Sequence, residues 1–121
     1  MAQLLPHADD GARVRKRLSS VPLAAPMLVD VELASTLRRD VREGRVDERR
    51  GRQALSHLAA LPLRRARHLP LLPRIWELRE NVTSYDAAYV ALAELLDVPL
   101  LTADARLARA PGPRCAVELW A

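Results

Sequence analysis

Two acidic residues stand at the ends of predicted secondary-structure elements. Asp86 falls in the first turn of a helix that Ser84 is predicted to cap. Pro99 excludes further helix, Leu100–Thr102 is typical of a short buried strand, and Asp104 follows that strand where another helix would begin. Because α/β proteins place chemistry at the ends of such elements, both carboxylates are candidate functional groups.

A third acid, Glu32, lies in the largely apolar stretch from Met27 to Ala34, where an unpaired carboxylate is costly to bury. The residues alone leave a structural role open for each acid. Asp86 can stabilise a helix through its dipole, Asp104 can be an N-cap, and Glu32 can lie on a solvent-facing helix surface. Asp30 lies about 200° around the helix from Glu32, so we expect it to be solvated or a cap rather than part of one site with Glu32.

Helices are predicted to alternate with short strands along the chain. The predicted strands are Leu23–Pro26, Leu63–His68, Leu100–Thr102 and Cys115–Trp120. The predicted helices are a basic one after Asp10, one carrying Glu32 and ending at Gly44, Asp47–Leu61, Pro70–Asn81, Ser84–Asp97 and Asp104–Arg109. Apolar spacing predicts that the following residues face inward: Leu72, Ile75, Trp76, Leu78, Tyr85, Ala88, Tyr89, Leu92, Ala93 and Leu96. The connections are long enough for parallel strands, which indicates an α/β fold, in three layers.

Composition limits the classes of protein and site. With 121 residues, half of them hydrophobic, the chain is expected to form a single domain over residues 1–121. Neither a membrane span nor a signal peptide is evident, so we expect a cytoplasmic protein. Cys115 is the only cysteine, which excludes an internal disulfide and thiol-rich zinc sites. Of the 19 basic residues all but Lys16 are arginine, which is compatible with a nucleic-acid partner or with a coding bias.

The amino-acid sequence of one stretch is similar to that of a known family. "YDAAYVALAELLDVPLLTADARLA" resembles the C-terminal half of the PIN domain, in particular the VapC-type toxin ribonucleases of bacterial toxin–antitoxin pairs. The likeness runs from about Leu18 to the end of the chain. In that family four acids gather at one edge of a parallel sheet and hold magnesium or manganese. The second, third and fourth acids correspond to Glu32, Asp86 and Asp104, whereas the first lies on an N-terminal central strand that we expect to be missing from this chain.

This resemblance implies a metal-dependent endoribonuclease. Three carboxylates about 4 Å apart would repel by about 4 kcal/mol per pair at an effective dielectric of about 20, so such a cluster persists only with a cation or with raised pKa values. Hard oxygen ligands favour Mg²⁺ or Mn²⁺. Such an ion would activate water for phosphodiester hydrolysis. The Thr102 hydroxyl is expected to orient a carboxylate or a water on the metal. Sequence neighbourhood makes Arg38, Arg39 and Arg106 the candidates for the RNA backbone. The resemblance further implies a VapB-like antitoxin partner and a homodimer.

Two other interpretations remain open. The chain could be a PIN-like remnant that binds an antitoxin or a second copy without catalysis, or an unrelated α/β protein whose acids bind a structural cation. Of the aromatic residues, Trp76 and Tyr89 are expected to lie in the core. His68 is expected to be a surface or packed residue, because it has no partner at metal-ligand spacing.

Overall fold

A computed structural model describes residues 22–119 and shows two parallel pairs of strands. Strand β1 (Leu23–Pro26) pairs with β2 (Leu63–Ala66), with Leu23 opposite Leu63. Strand β3 (Leu100–Thr102) pairs with β4 (Val117–Leu119). Within residues 22–119 the two pairs form separate sheets. Both pairings are parallel, as the crossover lengths predicted.

Helices fill the connections between the strands. The helices are α1 (Val29–Arg42), α2 (Glu48–Ala60), α3 (Leu72–Glu77), α4 (Ser84–Leu96) and α5 (Ala105–Arg109), and a 3-10 turn over Leu69–Leu71 precedes α3. Each parallel pair is thus joined through helical crossovers, the arrangement expected of an α/β fold. The prediction of that class is confirmed. The basic helix predicted after Asp10 lies outside the described residues, as do Trp120 and the N-terminal region that bears on the expected absence of the central strand.

Helix α4 is the centre of the core. Its seven consecutive residues from Ala87 to Ala93 are all buried, and it contacts both β1 and β3. A helix buried on all sides must present small side chains where other elements approach closely, and four of these seven residues are alanine. Any side chain near the first turn of α4 is therefore held by a rigid, well-packed element.

The ends of several elements follow local sequence signals. The Asp47 carboxylate accepts a hydrogen bond of 2.8 Å from the backbone N–H of Arg50 and caps α2, as predicted. Gly44, just beyond the end of α1, has a φ of +76°, which glycine adopts without strain. The cap of α4 differs from the prediction by one residue: the Thr83 hydroxyl accepts from the backbone N–H of Asp86, and Ser84 is the first helical residue.

Three residues predicted to face inward are exposed instead. Leu72 is 49% exposed and Trp76 is 67% exposed, whereas Leu71 and Leu78 are buried. The 3-10 turn before α3 has about three residues per turn, which moves the inward position from Leu72 to Leu71. Trp76 stacks on the Arg79 guanidinium, with 4.5 Å between the guanidinium carbon and the ring centroid.

Tyr85 is the third such residue, 66% exposed at the start of α4. It lies in the first turn, before the buried stretch of the helix begins at Ala87. The other core residues predicted on α4, including Ala88, Tyr89 and Leu92, are buried.

No helix within the described part of the chain is long and apolar enough to cross a membrane.

Candidate active site

A hydrogen bond between α1 and α4 defines the candidate site. The Tyr89 hydroxyl donates to Oε1 of Glu32 over 2.6 Å, although the two residues are 57 positions apart in the chain. Glu32 lies in the first turn of α1 and Tyr89 in the buried middle of α4. This distance is typical of a strong hydrogen bond from a hydroxyl to a carboxylate. The side chain of Tyr89 is in the core, as predicted, but its hydroxyl belongs to the site.

Asp86 lies one helical turn before Tyr89 on α4. Residues three apart in a helix are surface neighbours, so Asp86 and Tyr89 are presented on adjacent positions of the same face. The hydroxyl that caps α4 belongs to Thr83, and Asp86 lies in the first turn, where its charge also interacts favourably with the helix dipole, the structural alternative stated for it. The negative charge of Asp86 contributes to the raised pKa of both Glu32 and Tyr89. Asp86 therefore lies close enough to Glu32 for the two carboxylates to interact.

The pKa of Glu32 is raised above its usual value. Burial is the largest cause, the hydrogen bond from Tyr89 acts in the opposite direction, and the charge of Asp86 raises the pKa further. The pKa of the Tyr89 hydroxyl is also raised, by burial first and then by the nearby carboxylates Glu32, Asp86 and Asp30. Tyr89 thus stays protonated and remains a hydrogen-bond donor. The two carboxylates share a half-buried location that favours either a proton or a cation.

Asp104 occupies a different environment. Its Oδ1 accepts a hydrogen bond of 2.9 Å from the backbone N–H of Arg106 and so caps α5, and Nε of Arg106 lies 3.7 Å from the same oxygen. Thr102 is fully buried, and its Oγ1 accepts a hydrogen bond of 3.1 Å from the backbone N–H of Asp104. Among residues 22–119 no group of three or more acidic, histidine or cysteine side chains is arranged to hold a metal ion. The structure brings Glu32 and Asp86 together and leaves Asp104 as a helix cap.

The chemistry of Glu32 and Asp86 nevertheless fits a hard divalent cation. Mg²⁺ prefers oxygen ligands and is commonly bound by one or two carboxylates, with water and substrate phosphates completing its shell. Glu32 and Asp86 supply two such carboxylates, and the raised pKa of Glu32 shows that its charged form lacks full compensation. A cation beside them would supply the missing positive charge.

The predicted RNA-binding arginines are all accessible. Arg38 and Arg39 are exposed on α1, and Arg106 is exposed on α5. Arg39 follows Glu32 by seven residues, about two helical turns, so it lies on the same side of α1 as Glu32. Arg38 is rotated by about 100° around the helix from Arg39. Arg39 is therefore better placed than Arg38 to contact a molecule bound at Glu32.

Two contacts that sequence reasoning missed fix the start of α1. The Arg65 guanidinium binds the Asp30 carboxylate through Nε and its terminal nitrogen, each within 2.8 Å of a carboxylate oxygen. Nε2 of His68 accepts a hydrogen bond of 3.1 Å from the backbone N–H of Leu28, the residue before α1. Asp30 is thus partly solvated, as expected, but it also forms an ion pair that was not predicted. Both contacts join β2, or the residues just after it, to the helix that carries Glu32.

Comparison with known proteins assigns the chain to a family. A profile described as PIN domain matches residues 4–113, beginning earlier than the resemblance predicted from Leu18. Ribonuclease VapC1 of Mycobacterium tuberculosis is 51% identical over 96 residues, which cover 78% of this chain and 72% of the relative. Ribonuclease VapC9 of the same organism is 40% identical over 111 residues, or 92% of this chain and 87% of the relative. Ribonuclease VapC12 is 39% identical over 111 residues, with 92% and 86% covered. This chain therefore belongs to the PIN-domain family, among the VapC-type proteins.

Proposed function

We propose that this chain is a metal-dependent endoribonuclease and acts as the toxin of a type II toxin–antitoxin system. The observation that supports this most directly is the close pair of half-buried carboxylates, Glu32 and Asp86, held by the two helices α1 and α4. The similarity to VapC ribonucleases supports RNA as the substrate.

In this proposal Glu32 and Asp86 hold the divalent cation, Mg²⁺ or Mn²⁺. The ion supplies a Lewis acid at the scissile phosphate and increases the acidity of water for attack on phosphorus. Asp104 is proposed as a further ligand, for which its carboxylate must exchange the hydrogen bond to the N–H of Arg106 for the cation. Thr102 supports Asp104 by accepting its backbone N–H, which fixes the peptide from which this carboxylate extends.

Three exposed arginines are proposed to bind the RNA backbone. Arg39 lies on the Glu32 side of α1, Arg38 lies next to it, and Arg106 lies beside Asp104. A guanidinium matches the geometry of a phosphate and donates two parallel hydrogen bonds. These arginines would position the phosphodiester without reading its sequence.

The proposed partners are a VapB-like antitoxin and a second copy of this chain. The relatives carry the VapC name, and the family resemblance implies both interactions. The proposed location is the cytoplasm, which is supported by the proposed RNA substrate and antitoxin partner.

A second function is favoured by the position of Asp104. Because its carboxylate caps α5, and because residues 22–119 contain no group of three possible metal ligands, a catalytically impaired PIN-like module that binds antitoxin or a second copy also agrees with the structure. This module would form the complex with antitoxin but would not cleave RNA.

Asp86→Asn tests both proposals, with Asp97→Asn as the matched control. Asp97 ends the same helix, is exposed and has a φ of 54°, a left-handed conformation that asparagine also tolerates. With Mn²⁺ present we expect Asp86→Asn to reduce the rate of RNA cleavage by about 100-fold or more, because several kcal/mol of transition-state stabilisation depend on the cation. Asp97→Asn should cleave like the wild type.

The outcomes separate the two functions. Equal cleavage by wild type and Asp86→Asn would show that Asp86 is outside the active site. Absence of cleavage by the wild type with Mn²⁺ or Mg²⁺, together with a stable complex with the co-expressed antitoxin, would favour the binding module over the ribonuclease.

A further inference from the structure

The contact between Tyr89 and Glu32 joins the two helices that carry the carboxylates. Tyr89 is 1% exposed, and its hydroxyl lies 2.6 Å from Oε1 of Glu32. The ring is held on a helix whose middle is buried on all sides. The hydroxyl is therefore a fixed donor, and it determines where one oxygen of the Glu32 carboxylate lies.

Glu32 needs such a contact because glutamate is flexible. Three side-chain torsions separate its carboxylate from the backbone, and ordering them costs conformational entropy. Glu32 is only half-buried, so packing alone does not fix its end. With Oε1 held by Tyr89, the carboxylate keeps a second oxygen that can bind a cation. A ligand oriented in advance binds its metal more tightly, as in other sites where a neighbouring group hydrogen-bonds to a ligating carboxylate.

Helix α4 thus makes two contributions from adjacent positions of one face. Asp86 supplies a carboxylate, and Tyr89, one turn later, supplies the donor that orients the carboxylate of the opposite helix. We propose that Tyr89 is a positioning residue, which holds Glu32 in the orientation required to bind a divalent cation jointly with Asp86. This inference rests on the proposed function.

The first test compares Tyr89→Phe with Tyr85→Phe. Both changes remove one hydroxyl from α4, but Tyr85 is 66% exposed whereas Tyr89 is buried against Glu32. Mn²⁺ affinity is measured by isothermal titration calorimetry on the metal-free protein. We expect Tyr89→Phe to weaken Mn²⁺ binding by about 10- to 100-fold. Tyr85→Phe should bind Mn²⁺ with the affinity of the wild type.

Cleavage kinetics provide a second readout. If Tyr89 positions a metal ligand, the cleavage rate of Tyr89→Phe should recover toward the wild-type value at high Mn²⁺ concentration. In the Glu32→Gln background the same substitution should have little further effect on Mn²⁺ binding, because the group that Tyr89 orients has been changed.

The third test requires no substitution at Tyr89. The chain contains two tyrosines, so labelling the ring carbon that bears the hydroxyl gives two NMR signals. Titration with diamagnetic Mg²⁺ should shift the Tyr89 signal with the half-saturation that calorimetry gives for Mg²⁺ itself and leave the Tyr85 signal in place. This measurement uses the wild-type protein, so it remains decisive if Tyr89→Phe does not fold.

The outcomes distinguish this inference from the proposed function. A wild type that binds Mn²⁺ and cleaves RNA, together with equal Mn²⁺ affinity for Tyr89→Phe or an unchanged Tyr89 signal at saturating Mg²⁺, would overturn the role of Tyr89 alone. A wild type that binds neither ion would overturn the metal-dependent function and this inference with it.

Discussion

Glu32 and Glu94 lie near opposite ends of helix α4 and have opposite kinds of partner. Near its N-terminal half, Glu32 faces the neutral hydroxyl of Tyr89 and the like charge of Asp86. Near its C-terminal end, Glu94 accepts hydrogen bonds from the Arg74 guanidinium at 2.7 and 3.1 Å and from the backbone N–H of Arg114 at 2.8 Å. The two carboxylates are therefore compensated to very different degrees.

The pKa shifts of these residues have opposite directions for that reason. Burial raises the pKa of both carboxyl groups. At Glu94 the hydrogen bonds and positive charge of Arg74 and Arg114 outweigh burial and lower the pKa below its usual value. At Glu32 burial and Asp86 outweigh Tyr89, and the pKa is raised. Carboxylates with incomplete compensation are characteristic of functional sites, whereas a fully paired carboxylate is characteristic of a structural one.

The pairing of Glu94 also explains how the loop before β4 is held. A terminal nitrogen of Arg74 donates to the backbone oxygen of Gly112 at 2.9 Å as well as to Glu94. Together with the N–H of Arg114, this network ties the Pro-Gly-Pro loop to α3 and α4. The charge of Glu94 is thus used within the fold, whereas in the proposed function the charge of Glu32 serves to bind the cation.

The largest difference between substitutions of Glu32 and of Glu94 is expected in the rate of RNA cleavage. Glu32→Gln should reduce the Mn²⁺-dependent rate by about 100-fold or more, because the amide is a poor replacement for a negatively charged metal ligand. Glu94→Gln, the same change elsewhere on the molecule, should keep a rate near that of the wild type at temperatures where it is folded. Initial rates at equal protein concentration measure both. Comparable losses in the two variants would remove the distinction between a functional and a structural carboxylate.

For the free energy of unfolding we expect the opposite: Glu94→Gln should have the larger effect and Glu32→Gln the smaller one. Glu94→Gln removes the nearer of the two carboxylates paired with Arg74, since Glu77 lies 3.7 Å away, and should lower the free energy of unfolding by about 1.5 kcal/mol at neutral pH, as measured by urea denaturation. Glu32→Gln should be as stable as the metal-free wild type or more stable, because it removes a charge that burial and Asp86 disfavour.

The pH dependence of these two effects provides a sharper check. Glu94 has a lowered folded-state pKa, so its contribution is complete above its usual pKa of 4.5 and is lost as the pH falls through the lower folded value. Glu32 has a raised folded-state pKa, so its ionisation weakens the fold as the pH rises above 4.5 through the folded value. Glu32→Gln should therefore approach the stability of the wild type as the pH falls below 4.5, whereas Glu94→Gln should do so only below the lowered pKa of Glu94 in the folded state. A stability difference that does not change as the pH falls through these ranges would contradict the assigned charges.

The smallest effect on stability is expected at α1. Asp30 forms an ion pair with Arg65, whereas the hydrogen-bond partner of Glu32 is the neutral hydroxyl of Tyr89. Arg65→Ala removes the ion pair to Asp30 and the weaker hydrogen bonds to the Leu63 and Leu58 carbonyls, and should lower stability by about 1 kcal/mol. Arg64→Ala is the control, because Arg64 is the exposed neighbour on β2. Thermal denaturation of both variants measures the difference. A loss for Arg64→Ala as large as that for Arg65→Ala would assign the effect to strand propensity rather than to the ion pair.

Local signals in the sequence were sufficient for most elements. The strands β1 and β3, the cap at Asp47 and the interruption at Pro99 depend on neighbouring residues, and the structure has them where they were predicted. Strand β2 ends two residues before the predicted His68, and the Asp104 carboxylate caps α5, which was the structural alternative stated for it. The errors at Leu72 and Tyr85 arose because helical spacing was extended across a 3-10 turn and into the first turn of a helix, where the assumed inward face does not hold, whereas Trp76 lies within α3 and stacks on Arg79 instead.

The site was only partly predictable for a different reason. Composition and the family resemblance identified Glu32 and Asp86 as candidates, and the structure brings these two together. The resemblance placed Asp104 with them, whereas the structure has its carboxylate on the N–H of Arg106, and its role as a ligand remains a prediction. Tyr89 was expected in the core, and no local pattern distinguishes a buried tyrosine from one whose hydroxyl orients a carboxylate.

The sequence by itself determined the type and approximate position of most helices and strands, because capping, proline geometry and apolar spacing act within one or two turns of the chain. Tertiary structure decided which side chains pair over long distances in the chain. The contacts Tyr89–Glu32, Arg65–Asp30 and His68–Leu28 span 57, 35 and 40 positions. Each depends on how one element is rotated against another, and packing of the whole core around α4 fixes that rotation.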